Sequence, residues 1–138
     1  MTDDLPLFQL GFPGPLRDLL VAAVLDGTKT STTGLLQDWE IDGDPLPVVG
    51  TRAVVPDSDE RLVAVIELTE VRIARIGDVD LDHARDEGEG YTSVAEWREG
   101  HEDFWHGADY RGWLNDPEFT VGDDTMAVLQ RFRVVERL

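Results

Sequence analysis

Leu62, Ala64, Ile66 and Leu68 alternate as the apolar face of a half-buried strand, and then the apolar positions move to Val71 and Ile73. Successive side chains of a strand point to opposite faces, so the phase slips by one residue near Thr69-Glu70. A slip of this kind marks a β-bulge or bend, the device by which strongly curved barrels turn their corners. Thr51–Val55 reads as a shorter strand and Pro56-Asp57-Ser58-Asp59-Glu60 as the turn that joins the two into a hairpin. Near the end, Val128, Phe132 and Val134 alternate against Leu129, Arg131 and Arg133, so Thr125–Val135 reads as a closing strand.

The 138 residues fit one domain, 1–138, large enough to bury a core and too short for two. Cysteine is absent, which excludes a disulfide framework, a thiolate nucleophile and a cysteine-held zinc. The acidic start and the lack of a long apolar run point to the cytosol as the expected compartment, with no membrane partner. With 29 acids against 12 bases the net charge is −17. Phosphate binding draws its affinity from Lys and Arg, so a long duplex nucleic acid is a poor partner and a small neutral or cationic substrate a better one.

Residues 1–11 are expected to form an arm that docks Leu5, Leu7, Phe8 and Leu10 on the core. Pro13-Gly14-Pro15 breaks regular structure and sets Pro15 as a first helical residue. Leu16, Leu19, Leu20, Ala23 and Val24 then recur at helical spacing up to Asp26, and Gly27 supplies the left-handed stop. Thr28–Leu36 reads as a strand, with Lys29, Ser31 and Thr33 on one face and Thr28, Thr30 and Thr32 on the other. Residues 38–50 read as a surface loop in which Trp39 packs. Asp78–Glu87 is expected to form a short helix ended by Gly88. Ser93 and Glu96 then make a capping box for a second helix, whose Trp97, His101, Phe104 and Trp105 form one apolar stripe. The stretch after Gly107, through Tyr110 and Trp113, reads as irregular.

Lys29 is the only lysine; the other 11 basic residues are arginines. Arginine keeps its proton at any accessible pH and lysine need not, so one lysine in a row of hydroxyls suggests acid–base work. Its place just past a helix C-terminus, where backbone carbonyls favour a cation, argues instead for a charged anchor or electrophile. A solvated charge at a turn is the plainer alternative.

Gly27-Thr28-Lys29-Thr30-Ser31-Thr32 after a helix, the strand Val65-Ile66-Glu67-Leu68-Thr69, the run Ala84-Arg85-Asp86-Glu87-Gly88-Glu89-Gly90, and Ser93 with Trp97 and His101 together resemble the ASCH domain family, over about Leu16 to Val135. The resemblance implies an α+β, PUA-like fold: a small β-barrel of five to six mixed strands, two or three flanking helices and a cleft beside the helix-to-strand turn. It implies nucleic-acid or nucleoside handling, as RNA binding, as ribonuclease activity in some bacterial members, or as amide hydrolysis of 4-acetylcytidine in short ones. The Lys, Thr and Glu of those short members fall on Lys29, Thr32 and Glu87, which would be the catalytic set; this chain is one of the longer forms.

The residues themselves bear on that set in different ways. Glu87 ends a helix, where the dipole disfavours a carboxylate, so its pKa is expected to rise. Thr32 is turned away from Lys29 in a regular strand, which leaves a later strand start or a bulge as the way to bring it in, and Ser31 as the fallback hydroxyl. His83 either lines the cleft beside Glu87 or is a surface histidine, and His101 reads as a core histidine. Arg131 and Arg133 either meet a substrate phosphate or pair with acids of this chain. Ser31, His83, Arg131 and Arg133 are therefore the expected substrate contacts. His101 and His106, five apart, point in different directions on a helix, so no metal and no other cofactor is expected. The functional expectation is a hydrolase of a modified nucleoside or related amide. The alternatives are an RNA-binding module without catalysis, drawing on Arg72, Arg75, Arg131 and Arg133, and a metal-assisted ribonuclease.

Overall fold

The computed structural model describes residues 4–138. Four strands, β1 (Ser31–Leu35), β2 (Arg52–Pro56), β3 (Leu62–Arg75) and β4 (Met126–Arg137), form one antiparallel sheet in the order β1-β4-β3-β2, curled into a half-barrel. This is an α+β architecture with fewer strands than the five to six expected. The 14-residue β3 spans what two shorter strands would, because the slip near Thr69-Glu70 is a real irregularity: Leu68 pairs with Phe132 and Glu70 already with Arg131. The bend lets β3 run past the barrel corner without ending.

Pro15 opens α1 (Pro15–Asp26), and Gly27 ends it in the left-handed region at φ 89°. The buried face of α1 is Arg17, Leu20, Val21 and Val24. The expected stripe was set one residue off, and Leu16 and Leu19 are exposed. Arg17 tolerates burial because its guanidinium donates to the carbonyls of Leu10 and Gly11 and to Gln9 Oε1, which ties the arm to the helix. Residues 1–3 of that arm lie outside the described residues. Farther along, Leu7 bridges Val54, so the arm covers the β2 edge, while Leu10 and Phe8 enter the core and Leu7 stays exposed.

Two apolar clusters form. One joins α1 to the hairpin through Leu20, Val24, Val55, Ile66, Leu68 and Phe132. The other lies between β1, β4 and the helices that follow β3: α3 (Leu81–Asp86), α4 (Val94–Trp105) and α5 (Ala108–Leu114). α4 has the expected cap, with Glu96 N donating to Ser93 Oγ at 3.1 Å. α5 replaces the irregular stretch expected after Gly107, and Tyr110 is its buried residue. The loop expected over 38–50 begins instead as α2 (Leu36–Asp42), whose Trp39 ring lies so close over Gly34 that a Cβ there would come within 2.7 Å of it. The described residues contain no helix long and apolar enough to cross a membrane.

Candidate functional site

The turn between α1 and β1 and the loop between α3 and α4 are pressed together. Lys29 N donates to Ala23 O at 3.0 Å and Thr30 N to Asp86 O at 2.7 Å. Gly88, at φ 74°, permits this approach, since a Cβ on it would stand 2.8 Å from the backbone of Thr28 and Lys29. The contact turns Lys29 and Glu87 inward until each is almost fully buried, 2% and 1% exposed.

Lys29 Nζ lies 2.9 Å from Ser31 O, 3.2 Å from Glu87 O and 3.5 Å from Glu87 Oε1. Three protons thus face three acceptors, the coordination of an anchored ammonium. The solvated-charge alternative is excluded by burial. Glu87 Oε1 is also 3.0 Å from His101 Nε2. Its other oxygen, Oε2, accepts from Thr33 Oγ1 and Trp97 Nε1 at 2.7 Å each and lies 3.3 Å from His83 Nε2. Burial alone would raise the Glu87 pKa, but the charge of His101, then of Lys29, and hydrogen bonds from His101 and His83 outweigh it and hold the carboxyl well below its ordinary range. This reverses the rise expected from the helix terminus, because specific partners at hydrogen-bond distance outweigh a terminal dipole. Burial disfavours a charge on His101, yet the Glu87 charge and hydrogen bond raise its pKa. The pKa of Glu89, beside them, is raised, chiefly by desolvation of its carboxyl against the cluster.

Of the expected residues, Lys29 and Glu87 are brought together and Thr32 is not among them. β1 begins at Ser31 and runs in regular register, with Thr32 opposite Gln130, so alternation sends Thr32 to the other face. Thr33 occupies the Lys29 face, its hydroxyl 2.7 Å from both Glu87 Oε2 and His83 Nε2. Ser31 is buried and spends its hydroxyl on His83 O at 2.8 Å, which holds α3 in place. His83 is not a surface residue: it is fully buried, with Nδ1 left without a partner among the described residues. Arg131 pairs with Asp86 at 2.6 Å and Glu70 at 3.4 Å, and Arg133 with Glu67 at 3.1 Å, the second of the two readings of those arginines.

Three residues of the cluster were not expected in it: Thr33, Trp97 and His101. The signal for Thr33 was its shared face with Lys29. Trp97 and His101 read as core because one side of each ring is indeed packed, the two stacking at 4.4 Å between centroids. Glu87, Glu89 and His101 bring ligand-type atoms within 4.8 Å of one another. A metal does not fit there, since the Glu87 oxygens, with about four lone-pair positions, are already committed to Lys29, His101, Thr33 and Trp97. Two surface clefts, of about 560 and 300 Å³, lie elsewhere, around His106–Pro117 and around Phe12–Leu16 with Asp103–Asp109. The cluster reaches the surface at Thr33, Tyr91 and His101, which are partly exposed, and at Glu89, which is exposed.

The sequence model of the ASCH domain matches residues 9–136. Among solved structures, a protein from Enterococcus faecalis V583 is 25% identical, with a TM-score of 0.78, over 97% of this chain and 77% of its own. An ASCH domain from Lactobacillus crispatus JV V101 is 26% identical, with a TM-score of 0.74, over 96% of this chain and 82% of its own. An ASCH protein from Zymomonas mobilis, at 12% identity and a TM-score of 0.54 over 96% of this chain and 71% of its own, shares the fold alone. No curated protein matches the sequence.

Proposed function

This chain belongs to the ASCH domain family, and on that premise we propose that it hydrolyses an amide on a modified nucleoside, of the 4-acetylcytidine kind. The observation that carries the reading is the Thr33 hydroxyl, 2.7 Å from both Glu87 Oε2, to which it donates, and His83 Nε2, to which its one proton can turn when that nitrogen is bare. A hydroxyl beside an imidazole and a carboxylate is the arrangement that activates a nucleophile.

In this reading Thr33 Oγ attacks the acyl carbonyl carbon and its proton moves to His83 Nε2. Glu87 Oε2, 3.3 Å from that nitrogen, stabilises the imidazolium. Glu87, its carboxyl held well below its ordinary range, is a poor proton acceptor and serves as the fixed counter-charge. Collapse of the tetrahedral adduct breaks the C–N bond and the imidazolium proton passes to the leaving nitrogen, giving the free amine and an acyl ester on Thr33. Water, losing a proton to His83, then attacks the ester carbon; the C–O bond to Thr33 breaks, the imidazolium returns its proton to Thr33 Oγ, and a carboxylic acid leaves. Lys29 reaches neither hydroxyl nor proton; its part is to fix Glu87 and lend positive potential to the developing oxyanion.

RNA binding without catalysis, the family's other implied activity, needs free basic groups. Arg72, Arg75, Arg131 and Arg133 are each engaged by acids of this chain, which favours the hydrolase. The deciding experiment incubates the protein with N4-acetylcytidine and follows cytidine release by chromatography, for wild type and Thr33→Val. Release by wild type with a loss of about 100-fold or more in the variant is expected; equal release by both removes Thr33 from the chemistry. No release from any acylated nucleoside, together with RNA affinity that falls steeply with salt, replaces the hydrolase with the binding module.

A further inference from the structure

Both ring nitrogens of His101 face acceptors. Nδ1 lies 2.9 Å from the carbonyl oxygen of Trp97, one turn back on α4, and a carbonyl can only accept. Nε2 lies 3.0 Å from Glu87 Oε1, an oxygen that Lys29 Nζ also approaches at 3.5 Å. A carboxylate beside an ammonium is ionised and likewise only accepts. Each nitrogen must therefore carry a proton. We infer that His101 is a standing imidazolium, and that it serves the proposed reaction as a positioning residue, holding Glu87 Oε1 so that Oε2 stays aimed at Thr33 and His83.

The surroundings agree with a cation at this place. The ring stacks on Trp97 with centroids 4.4 Å apart and planes 25° apart, and is 5.4 Å from Trp105 and 5.9 Å from Tyr91. Aromatic faces attract a cation, more so when water is excluded. The titratable groups that face His101 are Glu87 and Glu89 from the α3–α4 loop, Lys29 behind Glu87 and Tyr91 on the loop before α4. Lys29, His101 and Glu87 sum to one positive charge, and an ionised Glu89 brings the group to neutrality, so a cationic ring is not stranded.

The grip on Oε1 is chiefly that of His101. Lys29 divides its protons among Ser31 O, Glu87 O and Oε1, and the last is its longest contact. Without the imidazolium, Oε1 is held by that contact alone, and the carboxylate is held mainly through Oε2. Trp97 adds the complementary hold, donating Nε1–H to Oε2 at 2.7 Å.

The effect on turnover rests on the hydrolase reading; the protonation state does not. Long-range proton–nitrogen NMR of the full chain labelled on histidine reads that state directly. Both His101 nitrogens should show imidazolium shifts at pH 7, and titrate only above the ordinary histidine value of about 6.5. One protonated and one bare nitrogen at pH 7 overturns the inference whether or not the protein is an enzyme. For the positioning role, His101→Gln should lower kcat on N4-acetylcytidine at least tenfold with KM within about twofold, and wild-type kcat should decline on the alkaline side at the value that NMR reads for His101. Unchanged kcat in a folded His101→Gln overturns the role; should that variant not fold, a wild-type kcat flat through the His101 titration does so. If wild type releases no cytidine while both nitrogens are protonated, the hydrolase reading fails and the imidazolium stands.

Discussion

Thr33 and Glu87, 54 residues apart in the chain, are joined by a hydrogen bond of 2.7 Å from hydroxyl to carboxylate. The bond crosses from the edge strand β1 to the loop after α3, and the Lys29 ammonium reaches the same loop from the same side of the strand. Strand alternation explains why Lys29 and Thr33 arrive together while Thr32, the residue at the family's motif spacing, does not.

That alternation separates two variants differing by one position. Thr33→Val should abolish amide hydrolysis and cost about 1–3 kcal/mol, because it takes a hydrogen-bond donor from the buried Glu87 carboxylate. Thr32→Val, opposite Gln130 on the other face, should leave Glu87 untouched and cost under about 1 kcal/mol. Parallel assays and urea titrations decide it; a larger loss of activity in Thr32→Val restores the motif-based assignment.

Gly88 sets the spacing of the site. At φ 74°, with its missing Cβ 2.8 Å from the backbone of Thr28 and Lys29, it admits no side chain without moving one of the two segments. Gly88→Ala should lose more than about 1 kcal/mol from the left-handed backbone alone and also separate Lys29 from Glu87. Gly90, at φ 86° with open space where its Cβ would stand, is the control: Gly90→Ala should show only the backbone cost. Equal costs in urea would show that the close approach is not what Gly88 secures.

Stability should depend on pH in opposite senses through Glu87 and His101. The Glu87 pKa is lowered on folding, so its contribution is present above the unfolded value of about 4.3 and is lost as pH falls through the folded one. The His101 pKa is raised, so its contribution is full below about 6.5 and is lost as pH rises through the folded value. Self-repulsion at a net charge of −17 also weakens the protein at high pH. The informative quantity is therefore the difference between wild type and His101→Gln in urea midpoint against pH. That difference should shrink with rising pH above about 6.5; a difference constant up to pH 9 contradicts the assigned direction.

The long features of the fold were legible because each leaves a repeated physical mark. The phase slip at Thr69-Glu70, the Gly27 stop and the Ser93 cap all appear where the side-chain pattern put them. α2 and α5, seven residues each, are about two turns long, too short for a helical stripe to stand out. The site was legible in part. The pairing of Lys29 with Glu87 came from a family resemblance, and no local rule places residues 58 apart in contact. Trp97 and His101 stayed hidden because a ring packed on one face and hydrogen-bonded at its edge has the periodicity of an ordinary core residue.

The buried pair itself makes the last test. Lys29 and Glu87 are both almost unexposed, and removing one partner strands the charge of the other, a cost of about 3–5 kcal/mol for a buried pair. Glu87→Gln keeps the shape of the side chain but leaves Lys29 and His101 without their shared counter-charge. Lys29→Met keeps the stem and leaves Glu87 to His101 alone. Because Glu87 has a second cationic partner and Lys29 has two backbone carbonyls besides, Lys29→Met should be the milder change. The double variant should cost less than the two singles added, with a coupling of at least about 1 kcal/mol in urea titrations. Additive costs would mean that the 3.5 Å contact between Nζ and Oε1 contributes little, and that Lys29 holds the loop through the carbonyls of Ser31 and Glu87 instead.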